Sequence, residues 1–329
     1  MVRSFKRIWA VALLTCTEGL RQPAFYFIFA CCAAMTALAP SFAFFHLGEE
    51  GKMVTDLGLS TILTFSTLLA LLTASSTVTD EIEGRTALTM LSKPLRREEF
   101  IAGKFIGVAC TAAALALLMS VVLLVTLRSQ KFESYRDRWF SVAVASGLLI
   151  FLLLFAIALV ARLFLGRGPG LARAFWIAYA SGAAFVLIFL GKISDSSIGW
   201  DWRLLTGLAF IALHSFVISA AAVALATRLT LVQSAIGTAV FFVVGHASGA
   251  LLAPFRDAGH RLTAFGSVLR ALLPDIDQFN ITDALATAYL DAPVSVPWDV
   301  IGGASLYALL YGAALLALAA ALFSRRELG

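Results

Sequence analysis

Apolar residues follow two different rhythms along this chain. From residue 2 to 22 they recur at i, i+3, i+4 and i+7: Phe5, Ile8, Trp9, Ala12, Leu13, Cys16 and Leu20. That spacing marks one face of an α-helix. Arg3, Lys6, Arg7, Glu18 and Arg21 lie off the stripe. The pattern predicts an amphipathic helix lying in the membrane interface, its basic residues among anionic head groups. After residue 22 the periodicity gives way to uninterrupted apolar runs. Eight of them approach the length needed to cross a hydrocarbon core: 24–45, 57–78, 100–127, 139–163, 174–191, 203–226, 235–253 and 300–323. None alternates apolar and polar residues as barrel strands do. The expected fold class is therefore an all-α polytopic membrane protein, with six spans as the alternative count.

Composition agrees with the pattern. The chain is 60% hydrophobic and only 14% charged over 329 residues, against about a quarter charged in a soluble domain. Lys and Arg set the expected orientation. With the N-terminus inside, the inner segments hold fifteen basic and seven acidic residues, and the outer ones ten basic and thirteen acidic. Eight spans return both termini to the cytoplasm. The longest outer segment is 254–299, which contains LLPDIDQFNITDAL.

Several chemistries find no support. No Asp or Glu falls in the middle of a span; the ionisable residues deep in spans are His214 and His246. Ion-coupled carriers rely on membrane carboxylates or interrupted helices. The four cysteines, Cys16, Cys31, Cys32 and Cys110, lack zinc-ligand spacing and read as packing residues. Gly-Lys occurs at 51–52, 103–104 and 191–192, never followed by Ser or Thr, so no phosphate-binding loop is present. No feature suggests nucleic acid binding. Gly245-His246-Ala247-Ser248-Gly249 places a serine before a glycine, with His214 in the preceding run. A serine hydrolase could use such a pair, but small residues there equally serve close helix packing.

One polar stretch interrupts the apolar runs: TDEIEGRTALTMLSKPLRREEFIAGK, residues 79–104. Asp80, Glu81 and Glu83 with Gly84 suit the start of a short helix, where the backbone dipole favours negative charge. Arg85 to Ser92 can make about two turns, with Ala87, Leu88 and Leu91 on one face, before Pro94 stops them. Leu88 and Leu91 left in water would cost roughly 25 cal/mol per Å², so they call for a membrane surface or a protein groove. A short helix tied to two spans and docked in a partner's groove would act as a lever.

These residues carry a resemblance. Glu81, Glu83, Gly84, Thr86, Leu88, Leu91, Pro94, Arg97, Phe100, Gly103 and Lys104 resemble the coupling-helix region of ABC-2 type transporter permeases of the NosY-like branch. Arg85, between the glycine and the threonine, departs from that pattern. The N-terminal amphipathic helix is similar to the family's interfacial elbow helix, residues 254–299 to its extracytoplasmic segment, and Arg325-Arg326-Glu327-Leu328 to its basic tail. Residues 128–202 read as an extra helix pair beside the usual six spans.

The resemblance implies an elbow at 1–22 and a permease domain at 23–329, with a coupling loop at 79–99. It implies a multi-pass protein of the bacterial inner membrane with both termini cytoplasmic. It also implies that ATP and Mg bind a separate ABC ATP-binding subunit, this chain holding no cofactor, and that a second permease copy completes the assembly. Contacts to that ATPase would come from Glu81, Glu83, Gly84, Arg85, Thr86, Leu88, Leu91, Pro94 and Arg97. The alternative function is a mechanotransmitter that moves no solute and acts on an extracytoplasmic partner.

Overall fold

The computed structural model describes residues 2–43, 50–83, 96–133, 203–251, 274–279 and 297–324. Among them the chain is helical, without strands. α1 is Val2–Gly19, α2 Pro23–Ala43, α3 Glu50–Glu83, α4 Arg97–Glu133, α5 Arg203–Ala226, α6 Leu231–His246 and α7 Trp298–Ser324. A single 3-10 turn, Asp277–Phe279, lies between α6 and α7.

Five helices are long and apolar enough to cross a membrane: α2, α3, α4, α5 and α7. α6 is shorter, at 16 residues. Expected spans 24–45, 57–78, 100–127, 203–226 and 300–323 overlap α2, α3, α4, α5 and α7 in turn, whereas the expected span 235–253 is interrupted: α6 ends at His246, and a turn at Ala247 precedes a new helical turn at Ser248. The expected spans at 139–163 and 174–191 lie outside the described residues.

α3 and α4 have 34 and 37 residues, roughly 50 Å each at 1.5 Å per residue. Both therefore overshoot a hydrocarbon core of about 30 Å. The extra length corrects two expected boundaries. α4 runs on to Glu133, six residues past the expected end at 127. α3 runs on to Glu83, so Asp80, Glu81 and Glu83 end a long helix instead of starting a short one. A helix C-terminus disfavours negative charge; a lysine on the neighbouring helix offsets it, as described below.

α3, α4 and α5 form the centre of the bundle. One apolar cluster joins α2 to α3 and α4 through Phe25, Phe29, Leu59, Ile62, Leu115 and Met119. A second gathers Val78, Phe100, Phe210, Val217, Phe279 and Phe323 from α3, α4, α5, the 3-10 turn and α7. Short hydrogen-bonding side chains also join the helices. Ser215 donates to Ser66 across α5 and α3 at 3.2 Å, and Ser234 to Ser75 across α6 and α3 at 2.9 Å. Such interhelical bonds contribute about 0.6 kcal/mol each on average.

α1 lies against α4 because α4 offers glycine there. A Cβ at Gly103 would stand 2.6 Å from Val11 Cβ, and one at Gly107 2.5 Å from Thr15 Cβ and 2.8 Å from the Ala12 carbonyl. The four-residue spacing of these glycines gives a groove that admits a second backbone. Phe5, Trp9 and Leu13 of the predicted stripe remain exposed on α1. The helix thus has two apolar faces, one of small residues against α4 and one of large residues open to lipid.

Candidate functional site

Residues 84–95 connect α3 to α4. Gly84, Arg85, Thr86, Leu88, Leu91 and Pro94 lie outside the described residues. What the structure shows is the frame that carries them, and that frame is densely cross-linked.

Lys104 is fully buried on α4, about two turns from its start. Its ammonium pairs with Glu81 Oε1 of α3 at 2.8 Å and donates to the Thr77 carbonyl at 3.3 Å. It also stands 5.8 Å from the centre of the Phe100 ring. An uncompensated charge at such a place costs several kcal/mol, so the carboxylate is obligatory rather than decorative. The same ammonium sits beside the last turn of α3, where free carbonyls and acidic side chains accumulate negative charge.

Glu99 opens α4 from the other side. Its Oε2 accepts a hydrogen bond from the Arg96 backbone N–H at 3.1 Å, the return half of a capping box. Its Oε1 accepts from the Ser4 hydroxyl of α1, and Arg7 lies 3.7 Å from Oε2. Glu98 and Glu99 in the first turn suit the helix dipole. The expected charged lead-in before Phe100 is therefore the first turn of α4 itself.

Arg97 faces a different neighbour. Its Nη1 donates to the carbonyls of Phe323 and Ser324 at 3.3 and 2.8 Å, capping the end of α7. Its guanidinium stands over the Phe323 ring at 5.8 Å, and that ring stacks on Phe100 at 5.7 Å. A cation at a helix C-terminus is favourable.

Of the residues expected to act here, Glu81 and Arg97 are thus placed in the frame, Glu83 is the last residue of α3, and the rest fall outside the described residues. Lys104, Glu99, Thr77 and Ser4 join the site without having been expected as its contacts. A signal for the Lys104–Glu81 pair was present: opposite charges just inside the facing ends of two consecutive spans. The Gly103-Lys104 step now has a physical reading for each residue. Gly103 makes room for α1, and Lys104 ties α4 to α3.

A second polar locus lies deeper in the bundle. His214, halfway along α5, is wholly buried. Its ring stands 5.5 Å from that of His246, where α6 ends. Beyond a turn at Ala247 a further helical turn begins at Ser248. Ser248 is buried too, but no hydrogen bond joins it to His214 among the described residues. The described polar contact of His214 is with Thr67.

The sequence of α2 to α5 has a counterpart among known proteins. A family model described as ABC-2 family transporter protein matches residues 21–226. The chain belongs to the ABC-2 transporter family. The probable ABC transporter permease protein NosY of Stutzerimonas stutzeri is 32% identical over 132 residues, which cover 35% of this chain and 48% of that relative. The match thus spans about half the relative's length. For this ABC-2 family chain the assignment describes a membrane subunit of a transporter, and it encloses α2 to α5 together with the 84–95 connection.

Proposed function

We propose that this chain is the permease subunit of an ABC transporter and that residues 84–95 couple it to ATP hydrolysis on a separate subunit. One observation carries the reading. The two helices that enter and leave this stretch are joined to each other by a buried ion pair, to the elbow by the Glu99 partners Ser4 and Arg7 on α1, and to α7 by Arg97. A push on the stretch would therefore move four helices together.

In this reading the end that carries 84–95 faces the cytoplasm of a bacterium, and both chain termini lie on that side. Leu88 and Leu91 enter a groove of the ATP-binding subunit, with Glu81 and Glu83 below them and Arg85, Thr86 and Pro94 shaping the turn. ATP and Mg belong to that partner. Two ATPase subunits approaching each other need two permease copies, so the assembly contains a second copy, identical or paralogous.

The test is direct. Leu88→Asp or Leu91→Asp in the complex with its co-expressed ATPase should abolish co-purification or lower ATP turnover at least about tenfold, the loss expected when an apolar anchor is replaced by a charge. The membrane part should remain monodisperse. Unchanged turnover and unchanged co-purification would remove the proposal.

A second reading is conformational work on an extracytoplasmic partner without solute passage. The observation in its favour is that residues 274–279, part of the acidic 254–299 stretch, are seated among α5, α6 and α7, where Ile276 and Phe279 are buried. A pull on that stretch would reach the bundle. Replacing 254–273 and 280–296 with neutral linkers, while keeping 274–279, separates the two. Transport retained excludes this reading; cellular activity lost with normal ATPase assembly supports it.

A further inference from the structure

Residues 235–253 read as one uninterrupted apolar run, yet α6 breaks within it. The Ala247 N–H donates to the Val243 carbonyl at 2.9 Å, the last bond of the helical series, which resumes with the Leu251 N–H on the Ala247 carbonyl at 2.9 Å. Among the described residues no hydrogen bond runs from the N–H groups of 248, 249 and 250 to the carbonyls of 244, 245 and 246. No proline causes this gap: the run is Val244-Gly245-His246-Ala247-Ser248-Gly249-Ala250. Its glycines and serine make a break cheap without requiring one. Ala247, at φ −81° and ψ −2°, lies about 40° in ψ from an ordinary helical residue. A modest rotation there closes the series.

Segment 274–279 holds the gap open. In a continuous helix the Gly245 carbonyl would accept from the Gly249 N–H. Here it accepts from the Ile276 N–H at 3.4 Å and shares the Ala247 N–H with Val243. The Ile276 side chain also fills the space beside Gly245: a Cβ there would stand 2.3 Å from Ile276 Cδ1 and 3.1 Å from its Cβ. The Asp275 N–H donates to the Tyr307 hydroxyl at 2.8 Å, and the Phe279 ring stands 6.4 Å from that of His214 and 6.1 Å from that of Tyr307. Pro274, Ile276 and Phe279 are buried, while Asp277 is exposed.

Two arrangements therefore compete for one carbonyl. Seating 274–279 buries apolar side chains, which favours the break. Unseating frees the carbonyl for Gly249 and lets the missing helical bonds form. Length favours this second state. α6 alone has 16 residues, roughly 24 Å, short of a hydrocarbon core of about 30 Å, whereas a helix from Leu231 to Leu251 reaches roughly 32 Å. Opposed terms of this kind are the condition for a two-state element.

We propose that α6 is such an element: broken at Ala247 while residues 274–279 are seated, and continuous through Leu251 once they leave, the Gly245 carbonyl exchanging the Ile276 N–H for that of Gly249. Only hydrogen bonds change hands, and the exchange requires neither ATP nor a partner chain. The first turn of α6 is tied to α3, Ser234 to Ser75 at 2.9 Å, so α6 has a direct contact with the helix that enters 84–95.

Hydrogen–deuterium exchange of the full-length chain in nanodiscs, read in peptides covering 248–251 and 274–279, tests this. Ile276→Ala shortens the side chain that fills the notch and leaves every residue of α6 in place. It should raise exchange at 274–279 about fivefold and lower it at 248–251 by a similar factor, because the amides of 248, 249 and 250 gain helical partners. Gly245→Ala, which puts a methyl where Ile276 sits and favours helix, should give the same pair of opposite shifts. Gly249→Pro deletes the N–H that would replace that of Ile276 at the shared carbonyl. Proline is tolerated in a first helical turn, and a Cβ at 249 meets no atom within 4 Å. Combined with Ile276→Ala, it should abolish the protection at 248–251 while 274–279 still exchanges fast. Exchange in Ile276→Ala that rises in both segments, changes at 274–279 alone or stays flat in both marks a passive anchor and overturns the proposal. Protection at 248–251 that survives Gly249→Pro overturns it too.

Discussion

Lys104 and His214 are both fully buried in spanning helices of one bundle, yet they are accommodated in opposite ways. Lys104 lies near the end that carries 84–95 and meets a full negative charge 2.8 Å away, a carbonyl and an aromatic face. His214 lies at mid-depth, bonded to one neutral hydroxyl, with its second nitrogen unpartnered. The first arrangement is closed: each charge is answered, and two helices are fixed. The second is incomplete, with one ring nitrogen left without a hydrogen bond. Buried polar groups among the described residues thus include those that fasten helices and those, like His214 Nε2, that stay without a hydrogen bond.

The contrast can be broken most forcefully at the ion pair. Lys104→Met should strand Glu81 and destabilise the bundle by about 3–5 kcal/mol, while Lys104→Met with Glu81→Met should recover most of that loss. Steric-trap unfolding in bicelles measures both; a double variant as weak as the single would show that the pair is not a closed unit. Next in size is the glycine groove. Gly107→Val forces a side chain into Thr15 and should cost about 1–3 kcal/mol, visible as faster proteolysis of α1. Arg97→Gln should cost about 1 kcal/mol and raise exchange in the last turn of α7, since the cation at that terminus is lost. Ser75→Ala removes one interhelical hydrogen bond and should change stability by about 0.6 kcal/mol, the smallest effect and the one that calibrates the others.

Much of this architecture was legible from residue order. The period of α1 announced a helix, Val2–Gly19, because its apolar residues repeat at helical spacing and its charges do not. The last span, expected at 300–323, is Trp298–Ser324, because polar residues bound the run sharply on both sides. Other features were hidden for physical reasons. Asp80, Glu81 and Glu83 look like the start of a helix when only the chain itself is weighed; a charge from α4, more than twenty residues on, lets α3 include them. The burial of Lys104 depends on the angle between α3 and α4, which no local pattern encodes. Ile276 and Phe279 stand among prolines and aspartates and read as part of a loop, because two apolar residues are too few to reveal a period. Their seat is created by Gly245, thirty-odd positions earlier, whose lack of a side chain gives no hint of what will fill it.

The glycine groove of α4 has one more implication. α1 is gripped on one side by Gly103 and Gly107, while Phe5, Trp9 and Leu13 on its other side are left for the bilayer. The helix joined to residues 84–95 therefore carries a second helix whose outer apolar face is uncovered. Whatever covers that face acts on α4 as well, because a tilt of α1 is handed on through the glycine contacts.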